Sequence, residues 1–241
     1  MRLFAIGDLH LQGGDDKPMN VFGDHWDNHF QRISEDWRAR VGEEDMVLIP
    51  GDISWAMQLP AARPDLQEIG ALPGRKLICK GNHDYWWSSI TQVRASLPEG
   101  MKALQHDAVE TDAAVICGSR GWMFPTAETA LSQEDEKVLA RELIRLEMSL
   151  QAAMKLNPEK PLVVMMHYPP LYDMERDTPF TRLFAKYPVH TVVYGHLHGA
   201  GIRAGYNGAW EGVQYRLVSC DALDFRLAEI PLDDAENEKI C

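Results

Sequence analysis

The chain has 241 residues, 45% hydrophobic and 25% charged. This is an average globular balance that excludes a disordered or collagen-like chain and sets a single domain, residues 1–241, as the expectation. Its 24 lysines and arginines against 36 aspartates and glutamates leave a formal charge of −12, which argues against a basic-groove binder of nucleic acid or anionic membrane. Carboxylates that hold metal ions enter this sum as free charge, so an acidic total is compatible with a locally cationic, phosphate-attracting site.

The N-terminus, Met1-Arg2-Leu3-Phe4-Ala5-Ile6-Gly7-Asp8, meets charge too early for a secretory signal, and no apolar stretch approaches a membrane span. Short apolar runs then recur at Leu3 to Ile6, Met46 to Ile49, Leu77 to Cys79, Ala113 to Cys117, Leu162 to Met166 and Thr191 to Tyr194. Each has strand length, and most are continuous rather than alternating, as in strands covered on both faces. The segments between several of them have room for helices, which predicts an α/β architecture. The clearest helix runs from about Ser132 to Leu156. Ser132 is placed to cap it ahead of Gln133, Glu134 and Asp135, and Leu139, Leu143, Leu146, Leu150 and Met154 form one apolar face for packing on the sheet. Asn157-Pro158 ends it, and Tyr215 to Ile230 reads as an antiparallel strand pair. The four cysteines, Cys79, Cys117, Cys220 and Cys241, form no CxxC pair. Three of them sit in apolar runs as buried thiols, so a reduced, cytoplasmic protein is expected.

The residues that carry chemistry stand at the C-terminal ends of these runs. The first run leads into Gly7-Asp8-Leu9-His10, the second into Pro50-Gly51-Asp52, and the third into Lys80-Gly81-Asn82-His83-Asp84. Later runs lead into His167-Tyr168-Pro169-Pro170 and into Gly195-His196-Leu197-His198. In a sheet of largely parallel strands these ends share one edge, where α/β folds place their ligands. Asp8, His10, Asp52, Asn82, His167, His196 and His198 are then seven oxygen and imidazole donors with no thiolate. That is too many for one tetrahedral zinc ion, and it suits two neighbouring ions bridged by one carboxylate. The mixed donor set points to manganese, iron or zinc.

These five blocks, in this order between Asp8 and His198, resemble the calcineurin-like metallophosphoesterase superfamily. The closest overall look is that of small bacterial predicted phosphohydrolases. The resemblance implies a four-layer α/β (α+β) sandwich of two central sheets flanked by helices. It also implies that Asp8, His10 and His198 hold one metal, that Asn82, His167 and His196 hold the other, and that Asp52 bridges them. The first block has Leu11 where many members have glycine. The second reads Gly51-Asp52-Ile53-Ser54 without the Asp-Arg-Gly of the protein serine/threonine phosphatases, which weakens a protein-phosphatase reading.

Such a site implies hydrolysis of a small phosphomonoester or phosphodiester, nucleotide-like esters included, by in-line attack of a hydroxide bridging two metal ions. His83 is assigned to proton donation at the leaving oxygen or to charge on the phosphoryl group, with Asp84 orienting its imidazole. Substrate contacts are expected from His25, in the stretch Gln12 to Phe30 over the site mouth, and from the aromatic faces of Trp55 and Trp86, with ordinary core filling as the alternative for both tryptophans. Arg120 is a further candidate, as a bidentate partner of phosphate, with a surface ion pair as the alternative. Competing readings are a nuclease, opposed by the charge of −12, and an interaction scaffold of the same fold, opposed by the complete donor set.

Overall fold

The computed structural model describes residues 1–13 and 19–232; Gly14, part of the stretch read as a mouth loop, and Cys241 lie outside the described residues. Two sheets form the centre. The first runs in the order β11 (Ala228–Glu229), β1 (Leu3–Ala5), β2 (Met46–Ile49), β3 (Arg75–Ile78), β4 (Met101–Ala103), and the last four are parallel. The second runs β5 (Ala108–Glu110), β6 (Val115–Ser119), β7 (Leu162–Met166), β8 (Val189–Tyr194), β10 (Val213–Leu217), β9 (Gly208–Trp210), with β6, β7, β8 and β10 parallel and both edges antiparallel.

Period-two alternation on continuous apolar strands builds the layers. Leu3, Ala5, Met46, Leu48, Leu77, Val163 and Met165 pack between the sheets. Their neighbours Phe4, Val47, Ile49 and Ile78 face outward, onto Ile33 and Trp37 of α1 (His29–Arg40) and Leu66 and Ile69 of α2 (Leu59–Gly70). On the other side Val164 and Met166 meet the α4 helix (Gln133–Leu156) and α5 (Pro179–Phe184), while the short α3 (Ile90–Ser96) adds Val93 to the first helical layer. The result is helix, sheet, sheet, helix, as expected. Both faces of β1, β2 and β7 are buried, which is why those runs carry no polar positions.

The Ser132 hydroxyl accepts the Asp135 N–H and caps α4, whose Leu139, Leu146 and Leu150 are buried as the stripe predicted. Cys79, Cys117 and Cys220 are buried free thiols. One expectation fails: Tyr215 to Ile230 is not a strand pair. The hairpin lies earlier, β9 against β10 through Glu211 and Gly212, both at positive φ, the condition of a tight two-residue turn matched to strand twist. β10 also pairs in parallel with β8, and the chain then crosses to the first sheet, where β11 lies antiparallel to β1. No helix among the described residues is long and apolar enough to cross a membrane.

Candidate metal centre

The C-terminal ends of β1, β2, β3, β7 and β8 deliver their following residues to one place. Asp8 N–H donates to the Gly51 carbonyl, Gly195 N–H to the His167 carbonyl, and His196 N–H to the Asp8 carboxylate, so the loops are stitched to one another. Asp8, His10, Asp52 and His196 all take positive φ, between 47° and 74°. Four non-glycine residues in this sparsely populated region mark strain held by surrounding structure, a feature that concentrates at functional sites. Glycine is required beside the carboxylates: a Cβ on Gly81 would run into Asp52, and one on Gly195 into Asp8.

The side chains separate into two groups sharing a carboxylate. In the first, His10 Nε2 lies 3.2 Å from His198 Nε2, and His198 Nε2 is 3.3 Å from Asp8 Oδ1. In the second, Asn82 Oδ1 is 2.6 Å from His167 Nε2 and 2.9 Å from His196 Nδ1. Asp52 stands between them, its Oδ2 3.6 Å from His167 Nε2 and 4.0 Å from His10 Nε2, while its Oδ1 accepts the His83 N–H at 2.8 Å. All seven donors expected from the sequence therefore meet. Donor atoms of Asp8, His10 and His198 lie within 4.8 Å of one another, as do those of Asp8, Asp52 and His167.

This donor set fits metal ions on chemical grounds. His167 Nδ1 faces the Pro50 carbonyl at 2.9 Å, which places the proton on Nδ1 and leaves the Nε2 lone pair directed at the Asn82 oxygen. Facing lone pairs repel unless a cation lies among them. Burial, with Asp8 partly opposing, pushes His10 down to about 3, and burial pushes His196 down to about 4, so both imidazoles are neutral and able to ligate. Burial also raises Asp52, helped by the charges of Asp84 and Asp8. Burial acts on Asp8 in the same direction, but the hydrogen bond and charge of His198 outweigh it and hold that carboxyl below its ordinary range. His198 is raised to about 10: burial opposes its charge, and the bonds to Asp221 and Asp8 override it.

Asp221 is the residue the sequence reading missed. Its carboxylate meets His198 Nδ1 at 2.8 Å and accepts the Gly199 N–H at 3.0 Å, orienting the ring so that Nε2 faces Asp8. The signal was present, because Asp221 follows the apolar end of β10 and Val218 as the other acidic and imidazole groups follow their strands.

The flanking residues divide. A cavity of about 310 Å³ opens on His10, Asp52, His83, His196 and His198 and is walled by Met19, Phe22, His25, Trp26 and Trp55. His25 and Trp55 therefore sit where substrate contacts were expected. Trp55 stacks on His10 with centroids 4.9 Å apart and lies 4.6 Å from the His83 ring. Trp86 does not reach the cavity: it is 1% exposed in the first core, because its indole N–H is drawn to Asp84 Oδ1 at 2.9 Å. Arg120 does not line it either. Its guanidinium lies over the Trp122 ring and 3.9 Å from Glu142.

Asp84 has another task than the one expected. Fully buried, it accepts N–H groups from Asp52, Ile53, Ser54 and Gly81 besides Trp86. It ties the loop after β2 to the loop after β3, and His83 Nδ1 has no hydrogen-bond partner among the described residues.

Comparison with known proteins agrees with this geometry. The model of the calcineurin-like phosphoesterase family matches residues 1–200. No curated protein matches the chain. Among solved structures, a phosphopantetheinyl hydrolase from Mycobacterium tuberculosis superposes with a TM-score of 0.57 at 16% identity, covering 97% of this chain and 96% of its own. A protein of unknown function from Aquifex aeolicus gives 0.51 at 16% identity, covering 100% and 99%. Identities this low speak for the fold.

Proposed function

The chain belongs to the calcineurin-like phosphoesterase family, and we propose that it hydrolyses a small phosphate ester at a centre of two metal ions. The observation that carries this reading is the position of Asp52 between two complete donor groups. Asp8, His10 and His198 would hold one ion, Asn82, His167 and His196 the other, with Asp52 reaching both. Manganese, iron and zinc all suit the oxygen and imidazole donors. When bound, two such ions supply Lewis acidity toward phosphoryl oxygens and a water acidified to near neutral pH.

The chain's own groups then act around that centre. Burial and the neighbouring His167 push the His83 imidazole below its ordinary value, so at neutral pH it is uncharged. In that form it suits the second of its two proposed tasks, an N–H donor to a phosphoryl oxygen, better than delivery of a proton to the leaving group. Trp55, against both His10 and His83, closes one side of the reacting position.

The cavity walls describe the rest of the substrate. Met19, Phe22, Trp26 and Trp55 offer apolar and aromatic surface, and no lysine or arginine lines this cavity among the described residues. A substrate whose remainder is uncharged and partly apolar fits, and a second phosphate there would meet no lysine or arginine among the described residues. A phosphodiester with a neutral arm is favoured on this ground.

The test is hydrolysis of a nitrophenyl monoester and a bis-nitrophenyl diester by protein supplied with Mn²⁺, beside an Asp52→Asn control. Metal-dependent turnover that the control loses is expected, with the diester preferred. No turnover by folded, metal-loaded protein on either ester contradicts the reading.

A further inference from the structure

A second cavity, about 220 Å³, lies between the loops after β3 and β6 and the helix α4. It shares no lining residue with the cavity at the metal centre, and its character is opposite. Lys80, Arg120 and Arg145 turn three cations onto it around one carboxylate, Glu142. The Glu142 side chain is 2% exposed and is engaged by Arg145 Nη1 at 2.7 Å, with Arg120 Nη2 at 3.9 Å. Lys80, partly buried, forms no side-chain hydrogen bond or ion pair among the described residues; burial and the Arg120 charge push its ammonium below the ordinary value, and the charges of Asp84 and Glu142 oppose them. The lining thus carries an excess of positive charge in a chain whose total is −12.

A network built only to fasten α4 would be complete with Arg145 and Glu142. With Arg120 seated over Trp122, it still leaves Lys80 without an ion pair beside two guanidinium groups, and gathering like charges in a partly desolvated place costs energy that a bound anion offsets. Ser119 and Gln105 add neutral polar groups to the wall. At about 220 Å³ the hollow falls below the usual range for drug-sized ligands, roughly 300–1,000 Å³, and suits a compact oxyanion. Arginine pairs with phosphate through its fork and lysine as a point charge, and both are present here.

We propose that this cavity is a second, phosphate-class oxyanion site, separate from the hydrolytic centre and taking inorganic phosphate or the phosphate end of a small ester. It is built on the loops that also carry metal-centre residues. Lys80 precedes Asn82 by two positions, and the Arg120 carbonyl accepts the N–H groups of His167 and Tyr168.

The test is calorimetric titration of the Mn²⁺-loaded chain with inorganic phosphate, and in a second arm with methylphosphonate. Two binding events per chain are expected, one at the metal centre and one here. The Lys80→Gln/Arg145→Gln double variant keeps the first and weakens the second by about ten- to a hundredfold, the scale of lost charge-assisted hydrogen bonds. Binding of both probes means that a substituted phosphate is accepted, and binding of phosphate alone identifies the free ion as the ligand. Phosphate binding that the variant leaves undiminished, whether it comes as one event or two, overturns the proposal. Should the variant not fold, lysine acylation mapped by mass spectrometry on the wild type decides instead: phosphate protects Lys80 if the site exists, and unchanged Lys80 labelling refutes it. Neither readout depends on whether the metal centre hydrolyses esters.

Discussion

Asp84 offers the sharpest choice between two physical roles, and Asp84→Asn separates them. The carboxylate receives five N–H groups: Oδ2 takes those of Asp52 and Gly81, and Oδ1 those of Ile53, Ser54 and the Trp86 indole. An asparagine keeps one acceptor oxygen and turns an NH₂ toward the other set, leaving at least two buried donors unpaired. At about 1–3 kcal/mol for each donor left buried without a partner, the loss is about 2–6 kcal/mol. That is a large share of the roughly 5–15 kcal/mol that holds a typical domain folded. A midpoint of about 4 kcal/mol corresponds to a melting temperature lower by roughly 8–16 °C in a chain of this size. The assay is thermal unfolding of the metal-free variant and wild type, with metal content measured after loading. The Asp52 N–H is among those bonded, so weaker metal retention accompanies the lower melting point. An Asn variant with wild-type melting and metal content but depressed turnover refutes this reasoning and returns Asp84 to the role of orienting His83.

Four further outcomes are expected. His83→Ala lowers turnover by about a hundredfold or more while metal content stays intact; loss of metal in that variant would make His83 a ligand. Asp221→Ala frees the His198 ring and weakens binding of one ion about 10–100-fold, read by metal titration, with the other ion unaffected. Trp55→Ala raises KM for an aryl ester by about 2–10-fold, the scale of one aromatic contact; metal content measured alongside shows whether its stacking on His10 also matters. Asp45 supplies a pH signature. Burial would raise its carboxyl, but N–H bonds from Arg2 and Gly42 and the Arg2 charge outweigh this and lower it below 3.8. Its stabilisation is therefore full above its unfolded value and is lost as pH falls through the lower folded one. Asp45→Asn is less stable than wild type near neutrality by about 1–3 kcal/mol, and the two unfolding curves converge in acid below about pH 4.

The strand framework and the metal donors were readable because each rests on local sequence. Continuous runs such as Leu162 to Met166 have two buried faces, and that burial removes polar residues from the strand itself. The donors follow at the turns, where backbone must bend sharply and a side chain of Asp, Asn or His meets the site. The features that escaped the sequence depend on distant partners. Trp86 resembles Trp55 in its setting, and only the Asp84 carboxylate draws its indole inward. Arg120 stands one loop from His167, yet its side chain is turned to Trp122 and Glu142. The strands β4, β5, β9 and β11, of two or three residues each, are too short for periodicity to show. The crossing from β10 to β11 mixes polar and apolar positions like a hairpin while linking two sheets.

Two ions sharing Asp52 are the centre of the proposed chemistry. Titrating metal-free protein with Mn²⁺ while measuring both bound metal and diester hydrolysis tests this directly. Two equivalents per chain are expected, with activity reaching its plateau only as the second is bound and with Asp52→Asn failing to hold the pair. Saturation at a single equivalent, or full activity before any metal is added to rigorously stripped protein, contradicts it.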